Sequence, residues 1–338
     1  MVLFEKQIEE LKKLLSKSKK IVIVPHKDPD GDTIGASMAW FMALNQNGFE
    51  VNIVSPTIIP QNLRWMKGYD FVTVYENKRR KAKKIIENAD LLFFIDFNSM
   101  SRTGEIINFF RHIKAPRVLI DHHPNPEPDI ANIFFSDDLA SSTCELSYDI
   151  LNKMGFYIDV DIAESLYTGI ITDTGKLTYG SLRPHVFSVM GDLIAKRADK
   201  DKIFSEVYQN ISLDSIRLLG HSLCNKLEVL EGLPVAFIAL SKEELDKYNY
   251  KPGNTEDFVS YPLTITGITI SALFSERKKD YIKISFRSKG NIPINEFAKR
   301  YFNGGGHINA SGGEMNDTLE NAISLFKKQI RYFLKKYY

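Results

Sequence analysis

Cysteine is nearly absent from this chain of 338 residues. Cys144 and Cys224 are all it has, far apart and without zinc-like partners nearby. That excludes a disulfide framework and a cysteine-built metal fold, and both are read as reduced, buried thiols. Net charge is also nearly absent: 44 basic against 42 acidic residues leave +2. There is no global pull towards nucleic acid or an anionic membrane, so any handling of phosphate must be local. Long apolar runs are missing too, since stretches such as Leu91–Ile95 are far too short to span a bilayer. The start, MVLFEKQIEELKK, reads as an acidic-basic amphipathic helix without the basic flank and apolar run of a signal peptide. No internal repeat or low-complexity segment is present. These absences point to a cytoplasmic protein with no membrane partner. What is there, 43% hydrophobic and 25% charged residues, suits a globular protein with a real core, long enough for two domains.

The first half alternates apolar runs with helical patterns. Lys20–Pro25, Val51–Ser55, Leu91–Asp96 and Val118–Asp121 read as strands, with helices near Asp32–Asn47, Arg79–Asn88 and Thr103–Lys114. Strands that are apolar at consecutive positions suit a parallel sheet covered on both faces. A doubly wound α/β domain follows from that alternation. Helices are expected at about Ser142–Met154 and Asp161–Thr174, and Pro184–Leu230 reads as mostly helical, a connector that offers a possible homodimer surface. From Leu233 the character changes: PVAFIAL, TITGITISALF and YIKISFRS read as strands, Ile294–Tyr301 as a helix before a glycine cluster, and Asp317–Lys335 as a basic amphipathic helix. The domain change falls between about residues 185 and 230.

Four motifs carry chemistry. PHKDPDGDTIGAS places His26, Asp30 and Asp32 just after the first strand, at its carboxyl end, where α/β sheets gather ligands. An imidazole and two carboxylates there suit divalent ions, although an acidic turn capping the next helix reads equally well. Asp28 is a further candidate, or a solvated loop residue. In LLFFIDFNSMSRTG, Asp96 ends a very apolar strand; Arg102 in the loop beyond it could clamp a phosphate or form a surface ion pair. VLIDHHPNP sets Asp121, His122 and His123 at another strand end, and two of only seven histidines fall together there. One imidazole can bind metal while the other meets substrate, and Asp121 can orient an imidazole from behind. LYTGIITDTGKLTY offers Asp173 at a helix end. So many carboxylates on one rim repel one another without cations, and two divalent ions about 3.5–4 Å apart are a known solution in phosphoryl hydrolysis. Further on, Gly304, Gly305 and Gly306 permit close approach of backbone amides to an anion, or make a flexible loop; His307 follows, and Arg287 ends the preceding strand.

HKDPDGD, Asp96, DHH and Asp173, in that order, together with GGGH at 304–307, resemble the DHH phosphoesterase superfamily in its DHHA1 subfamily. The resemblance covers nearly the whole chain and is greatest to the oligoribonuclease and pAp-phosphatase type. It implies a DHH catalytic domain over residues 1–185, a helical connector over 186–230 and a smaller, mixed-sheet DHHA1 substrate domain over 231–338. It implies two metal ions, manganese with magnesium or cobalt as alternatives. His26, Asp30 and Asp96 would hold one, and Asp32, Asp96, His122 and Asp173 the other. His123 would face the scissile phosphate, while Arg287, His307 and the glycines would bind the rest of the substrate. The implied reaction is two-metal hydroxide attack on phosphorus in short oligoribonucleotides, dinucleotides such as pGpG, or 3′-phosphoadenosine 5′-phosphate (pAp). A cyclic-dinucleotide phosphodiesterase is the main alternative. A single-strand exonuclease, an inorganic pyrophosphatase and a catalytically silent nucleotide-binding protein rank below it.

Overall fold

The apolar runs of the first half show no polar face because each face of their sheet meets a separate core. The computed structural model describes residues 4–110, 112–178, 183–255 and 257–336, in two units, Met1–Asn210 and Ile211–Tyr338. In the first unit β1 (Lys20–Pro25), β2 (Glu50–Ser55), β3 (Val72–Val74), β4 (Leu91–Ile95), β5 (Arg117–Asp121) and β6 (Ile133–Ser136) form a parallel sheet. Its strand order is β3-β2-β1-β4-β5-β6. Ile21, Ile23, Phe93 and Ile120 enter one core, whereas their neighbours Val22, Val24, Phe94 and Leu119 enter the other. Alternation is therefore present in space and invisible in hydropathy.

The helices of this unit are α1 (Glu5–Leu15), α2 (Gly31–Gln46), α3 (Arg79–Glu87), α4 (Ile107–Phe110), α5 (Thr143–Met154), α6 (Val160–Asp173), α7 (Pro184–Ala195) and α8 (Lys200–Phe204). Ala82 and Ile86 of α3 and Phe110 of α4 cover the second core, and the other helices cover the first. Strands β3 and β6 were not anticipated, being too short to declare a period. The helix expected at Thr103–Lys114 is shortened to α4: it is preceded by 3₁₀ turns over Met100–Ile106 that are interrupted at Gly104, whose φ is 62°. Of the residues read as helix or strand from sequence, Met1–Leu3 and Arg111 lie outside the described residues.

The second unit also holds six strands, β7 (Leu227–Val229), β8 (Val235–Leu240), β9 (Ile270–Lys278), β10 (Tyr281–Ser288), β11 (Gly305–His307) and β12 (Ala310–Met315), ordered β11-β12-β10-β9-β8-β7. Only β8 and β9 pair in parallel. Its helices are α9 (Leu213–Asn225), α10 (Lys242–Lys247), α11 (Ile294–Tyr301) and α12 (Leu319–Leu334). Phe237, Phe274, Phe286, Phe297, Phe302 and Phe326 fill one core against α11 and α12. Strand β10 alternates strictly, so Ile282, Ile284 and Phe286 are buried while Lys283, Ser285 and Arg287 are partly exposed. The run TITGITISALF becomes strand only from Ile270, its start belonging to 3₁₀ turns at Phe258–Thr264.

The stretch read as a connector divides between the units, with α7 and α8 in the first and α9 in the second. Cys144 is buried as expected, but Cys224 is exposed. The buried positions of α9 are Ser215, Leu218 and Ser222, a stripe of helical spacing, and Cys224 falls off it. Among the described residues no helix is long and apolar enough to cross a membrane.

Candidate metal centre

A parallel sheet brings all its carboxyl ends to one rim. The chain runs outward from β1 to β3 and then returns to β4 on the other side of β1, so the loops after β1 and β4 part and leave a crevice. Three of the four motifs lie at that rim, after β1, after β4 and at the end of β5. The fourth, Asp173, is the last residue of α6.

After β1, Asp30 caps α2, its Oδ1 accepting the amides of Asp32 and Thr33 at 3.1 and 3.0 Å. The cap and ligand readings of this residue coexist, because Oδ2 remains directed at His26 Nε2, 3.8 Å away. His26 Nδ1 bonds the Lys27 carbonyl at 2.7 Å. A carbonyl only accepts, so Nδ1 carries the proton and the lone pair sits on Nε2. Nε2 is buried without a hydrogen-bond partner, 3.4 Å from Asp96 Oδ2. His122 repeats this arrangement: Nδ1 faces the Ala140 carbonyl at 3.2 Å, and Nε2 lies 3.7 Å from Asp32, 3.7 Å from Asp96 and 3.5 Å from Asp173. An imidazole tied at one nitrogen to a carbonyl and aimed at carboxylates with the other is oriented as metal ligands are.

Asp96 is the hinge of the cluster. Its φ of 67° is left-handed, a conformation that costs a non-glycine residue about 1–2 kcal/mol. Thr33 and Thr143 donate their hydroxyls to its two oxygens, at 2.5 and 2.8 Å. Ligand atoms of His26, Asp30 and Asp96 lie within 4.8 Å of one another, as do those of Asp32, Asp96 and His122, and those of Asp96, Asp121 and His123. Asp96 belongs to all three groups. Asp28 is exposed, with its backbone amide bonded to Thr57, and belongs to none of these three.

The charges do not balance comfortably. Burial and the carboxylates of Asp96 and Asp173 push Asp32 well above the usual carboxylate range, although its oxygens accept the Thr143 and Cys144 amides at 2.7 and 2.8 Å. Burial works against a charge on His122, yet Asp173, Asp32 and Asp96 outweigh it and raise its pKa to about 9. Asp96 is likewise opposed by burial, but the imidazoles of His26, His123 and His122 hold it well below its ordinary value. Protons are thus drawn to positions between carboxylates. Those positions, with imidazole lone pairs beside carboxylate oxygens, fit divalent cations.

His123 is built differently. Its Nδ1 donates to Asp121 Oδ1 at 2.7 Å, so Asp121 orients His123 rather than His122. Its Nε2 accepts from Arg102 Nη1 at 2.9 Å. Burial first, and then the Arg102 charge, lower the pKa of His123 well below the ordinary value. Burial and Asp96 raise Asp121 to about 7. Arg102 therefore sits on His123 in the crevice instead of forming a surface ion pair.

The opposing helices reach the rim because α2 and α6 nearly touch. A Cβ on Gly31 would overlap Thr172, one on Gly35 the Ser165 carbonyl, and one on Gly169 the Cys144 sulfur. Sequence reasoning missed this packing, and it missed Thr33, Thr143 and the amides of α5. The faint signal was Ser142-Thr143 before a helical pattern, a start signature that here also points two amides at Asp32.

In the second unit, Arg287 ends near the β10–β12 pairing, with Nη1 on the Phe286 carbonyl and Nε buried without a hydrogen-bond partner. The glycine cluster is a hairpin rather than a loose loop: Gly305, Gly306 and His307 pair with Gly312, Ser311 and Ala310. Gly306 has a φ of 135°, and a Cβ there would strike the Ala310 carbonyl at 2.6 Å.

The family model described as DHH family, N-terminal domain matches residues 20–170, and that of the DHHA1 domain matches 232–336. The chain belongs to the DHH family. A Bacillus subtilis relative, the bifunctional oligoribonuclease and PAP phosphatase NrnA, is 27% identical over 90% of this chain and 92% of its own length. The crystal structure of an exopolyphosphatase-related protein from Bacteroides fragilis superposes with a TM-score of 0.89 at 37% identity, covering 98% of this chain and 96% of that one. The cyclic-di-AMP phosphodiesterase GdpP of Bacillus subtilis is 24% identical over 97% of this chain, which spans only 49% of that protein.

Proposed function

We propose that this chain is a metal-dependent phosphoesterase acting on short oligoribonucleotides, dinucleotides such as pGpG, and pAp. The observation that carries this reading is Asp96, shared by two ligand groups while His26 and His122 both turn Nε2 towards it. The name of the Bacillus NrnA relative, similar along nearly its whole length, supports the substrate class.

His26, Asp30 and Asp96 would hold one divalent ion, and Asp32, Asp96, His122 and Asp173 the other. Nitrogen donors among oxygens favour manganese over magnesium, with cobalt also suited. Two such ions, when bound, supply an activated water and neutralise charge on the phosphoryl oxygens. The protein's own part is positional and electrostatic. Asp121 keeps His123 in the tautomer whose Nε2 accepts, and Arg102, bonded there, keeps further N–H donors for a phosphate oxygen. The phosphate-facing role expected of His123 is thereby shared, with His123 steering the guanidinium that makes the contact. In the second unit we assign Arg287, Gly304, Gly305, Gly306 and His307 to recognition of the nucleotide. A second reading, cleavage of a cyclic dinucleotide, is favoured by the similarity to GdpP along this chain's length.

The test is a product assay with manganese on pAp, pGpG, cyclic-di-AMP and RNAs from dinucleotide to decanucleotide. Turnover of pAp, pGpG or the shortest RNAs, falling with length, is expected. Preference for cyclic-di-AMP selects the second reading, and preference for the longest RNA overturns both.

A further inference from the structure

Away from the ligands, the loop between β6 and α5 is tied by an ion cluster that the proposed chemistry does not use. Glu145, in the first turn of α5, is only 1% exposed. Its Oε2 accepts the Ser141 amide at 2.6 Å, while Oε1 is buried without a hydrogen-bond partner, 3.9 Å from Arg183 Nη2. The same Nη2 lies 3.5 Å from Asp137 Oδ2, and Asp137 Oδ1 accepts the Leu139 amide at 3.0 Å. One guanidinium between two carboxylates thus holds residues 137–142 from both ends. Well-packed apolar side chains would serve the fold at least as well as such a cluster, which is weak evidence for stability.

What this loop delivers is a set of partners for the rim. Its Ala140 carbonyl orients His122 at 3.2 Å. Just beyond it, Thr143 gives an amide to Asp32 at 2.7 Å and a hydroxyl to Asp96 at 2.8 Å, and Cys144 gives an amide to Asp32 at 2.8 Å. Three carboxylate or imidazole groups of the centre therefore take their orientation from one segment.

We infer that Arg183, Glu145 and Asp137 are positioning residues that set the affinity of the centre for divalent ions through the 137–143 segment, touching neither ion nor substrate. This rests on the two-ion reading above. The experiment is calorimetric titration of the full, metal-stripped chain with manganese(II), beside a metal-free thermal melt. Glu145→Ala and Arg183→Met are each expected to weaken manganese binding about ten- to a hundredfold, the usual effect of losing an outer partner. Turnover should then recover at saturating manganese, with KM for the nucleotide unchanged. Glu145→Gln keeps an oxygen for the Ser141 amide but turns an amide N–H towards Arg183, so it should regain only part of the affinity. Arg183 keeps 31% of its side chain exposed, so its Met variant remains informative even where Glu145→Ala does not fold. If Arg183→Met binds manganese as tightly as the parent chain, the inference is wrong, whatever its melt, because the cluster then serves only the fold. A parent chain that binds no manganese overturns the two-ion reading and the inference with it.

Discussion

The two units each carry a six-stranded sheet, yet they spend their buried positions in opposite ways. In the first, five aspartates and three histidines crowd one rim, with Asp32, Asp96, Asp121, His26, His122 and His123 all buried. In the second, the core is phenylalanine on phenylalanine: Phe326 lies 5.3 Å from Phe274, 5.8 Å from Phe237 and 6.0 Å from Phe297, ring to ring. Sheet direction explains part of the difference. A parallel sheet collects its carboxyl ends on one side, where loops can converge, whereas the mostly antiparallel sheet spreads them over two edges. Buried charge is costly, so its concentration marks where the fold gives up stability for chemistry.

That contrast breaks most sharply under two substitutions. Asp96→Asn removes the carboxylate shared by the ligand groups, and manganese-dependent hydrolysis should fall by more than about a hundredfold, beyond the usual loss of an outer partner. Its metal-free melting temperature should fall only by the lost attraction to the imidazoles of His26, His123 and His122, which hold the carboxylate ionised. Phe326→Ala should do the reverse, costing about 3–5 kcal/mol of stability in a denaturant titration. The protein that remains folded should keep its manganese affinity. If Asp96→Asn unfolds the chain while activity per folded molecule survives, the rim is structural and the comparison fails.

A second prediction uses pH. The folded pKa of His122, about 9, is above the ordinary value, so the proton it holds stabilises the metal-free protein fully below about pH 6.5. That contribution, on the order of 3 kcal/mol, is lost as pH rises through about 9. A bound ion would replace the proton, so manganese should raise the melting temperature more at pH 9 than at pH 7. Equal metal-induced shifts at both would show that His122 does not compete for the ion.

How much of this was legible beforehand follows from what a sequence can encode. Each acid and histidine at the rim follows an apolar run or ends a helix, so its position could be read from hydropathy. Their approach to one another depends on strand order, which hydropathy does not carry. The outer partners were invisible for a stronger reason: the Ala140 carbonyl and the Thr143 and Cys144 amides are backbone groups that any residue supplies. Strand β3, with only Val72–Val74, is too short to repeat the two-residue alternation of a strand. Arg102 could be read as a phosphate clamp or a surface ion pair, and its hydrogen bond to His123 was not foreseen.

The helix packing behind the rim gives a middling effect. Gly169→Ala would push a methyl group into the Cys144 sulfur and to within 2.9 Å of Asp32 Oδ1. Overpacking of this kind costs about 1–3 kcal/mol, and here it should also weaken manganese binding because Asp32 is displaced. Gly191→Ala in α7, where a Cβ meets nothing within 4 Å, is the control: it should leave the metal titration unaltered and raise the melt slightly, by the roughly 0.5–1 kcal/mol that alanine gains over glycine inside a helix.

The smallest effect tests whether the rim's charge is itself a burden. Asp121 has a folded pKa of about 7, above its ordinary 3.8, because burial and Asp96 disfavour its charge. Its stabilising contribution is therefore complete below about pH 4 and lost as pH rises through about 7. Above that, the ionised carboxylate weakens the fold, and its Oδ2 has no hydrogen-bond partner to offset the cost. Asp121→Asn keeps an oxygen for the His123 Nδ1–H and removes the charge, at the cost of a buried amide N–H in the place of Oδ2. In the metal-free state its melt should match or fall slightly below the parent's at pH 5, and gain on the parent's by pH 8. Turnover should fall as His123 loses the carboxylate that fixes its tautomer. A variant that loses stability at pH 8 as much as at pH 5 would mean that Asp121 is not strained by burial, and the rim would then resemble the second unit's core more closely than its chemistry suggests.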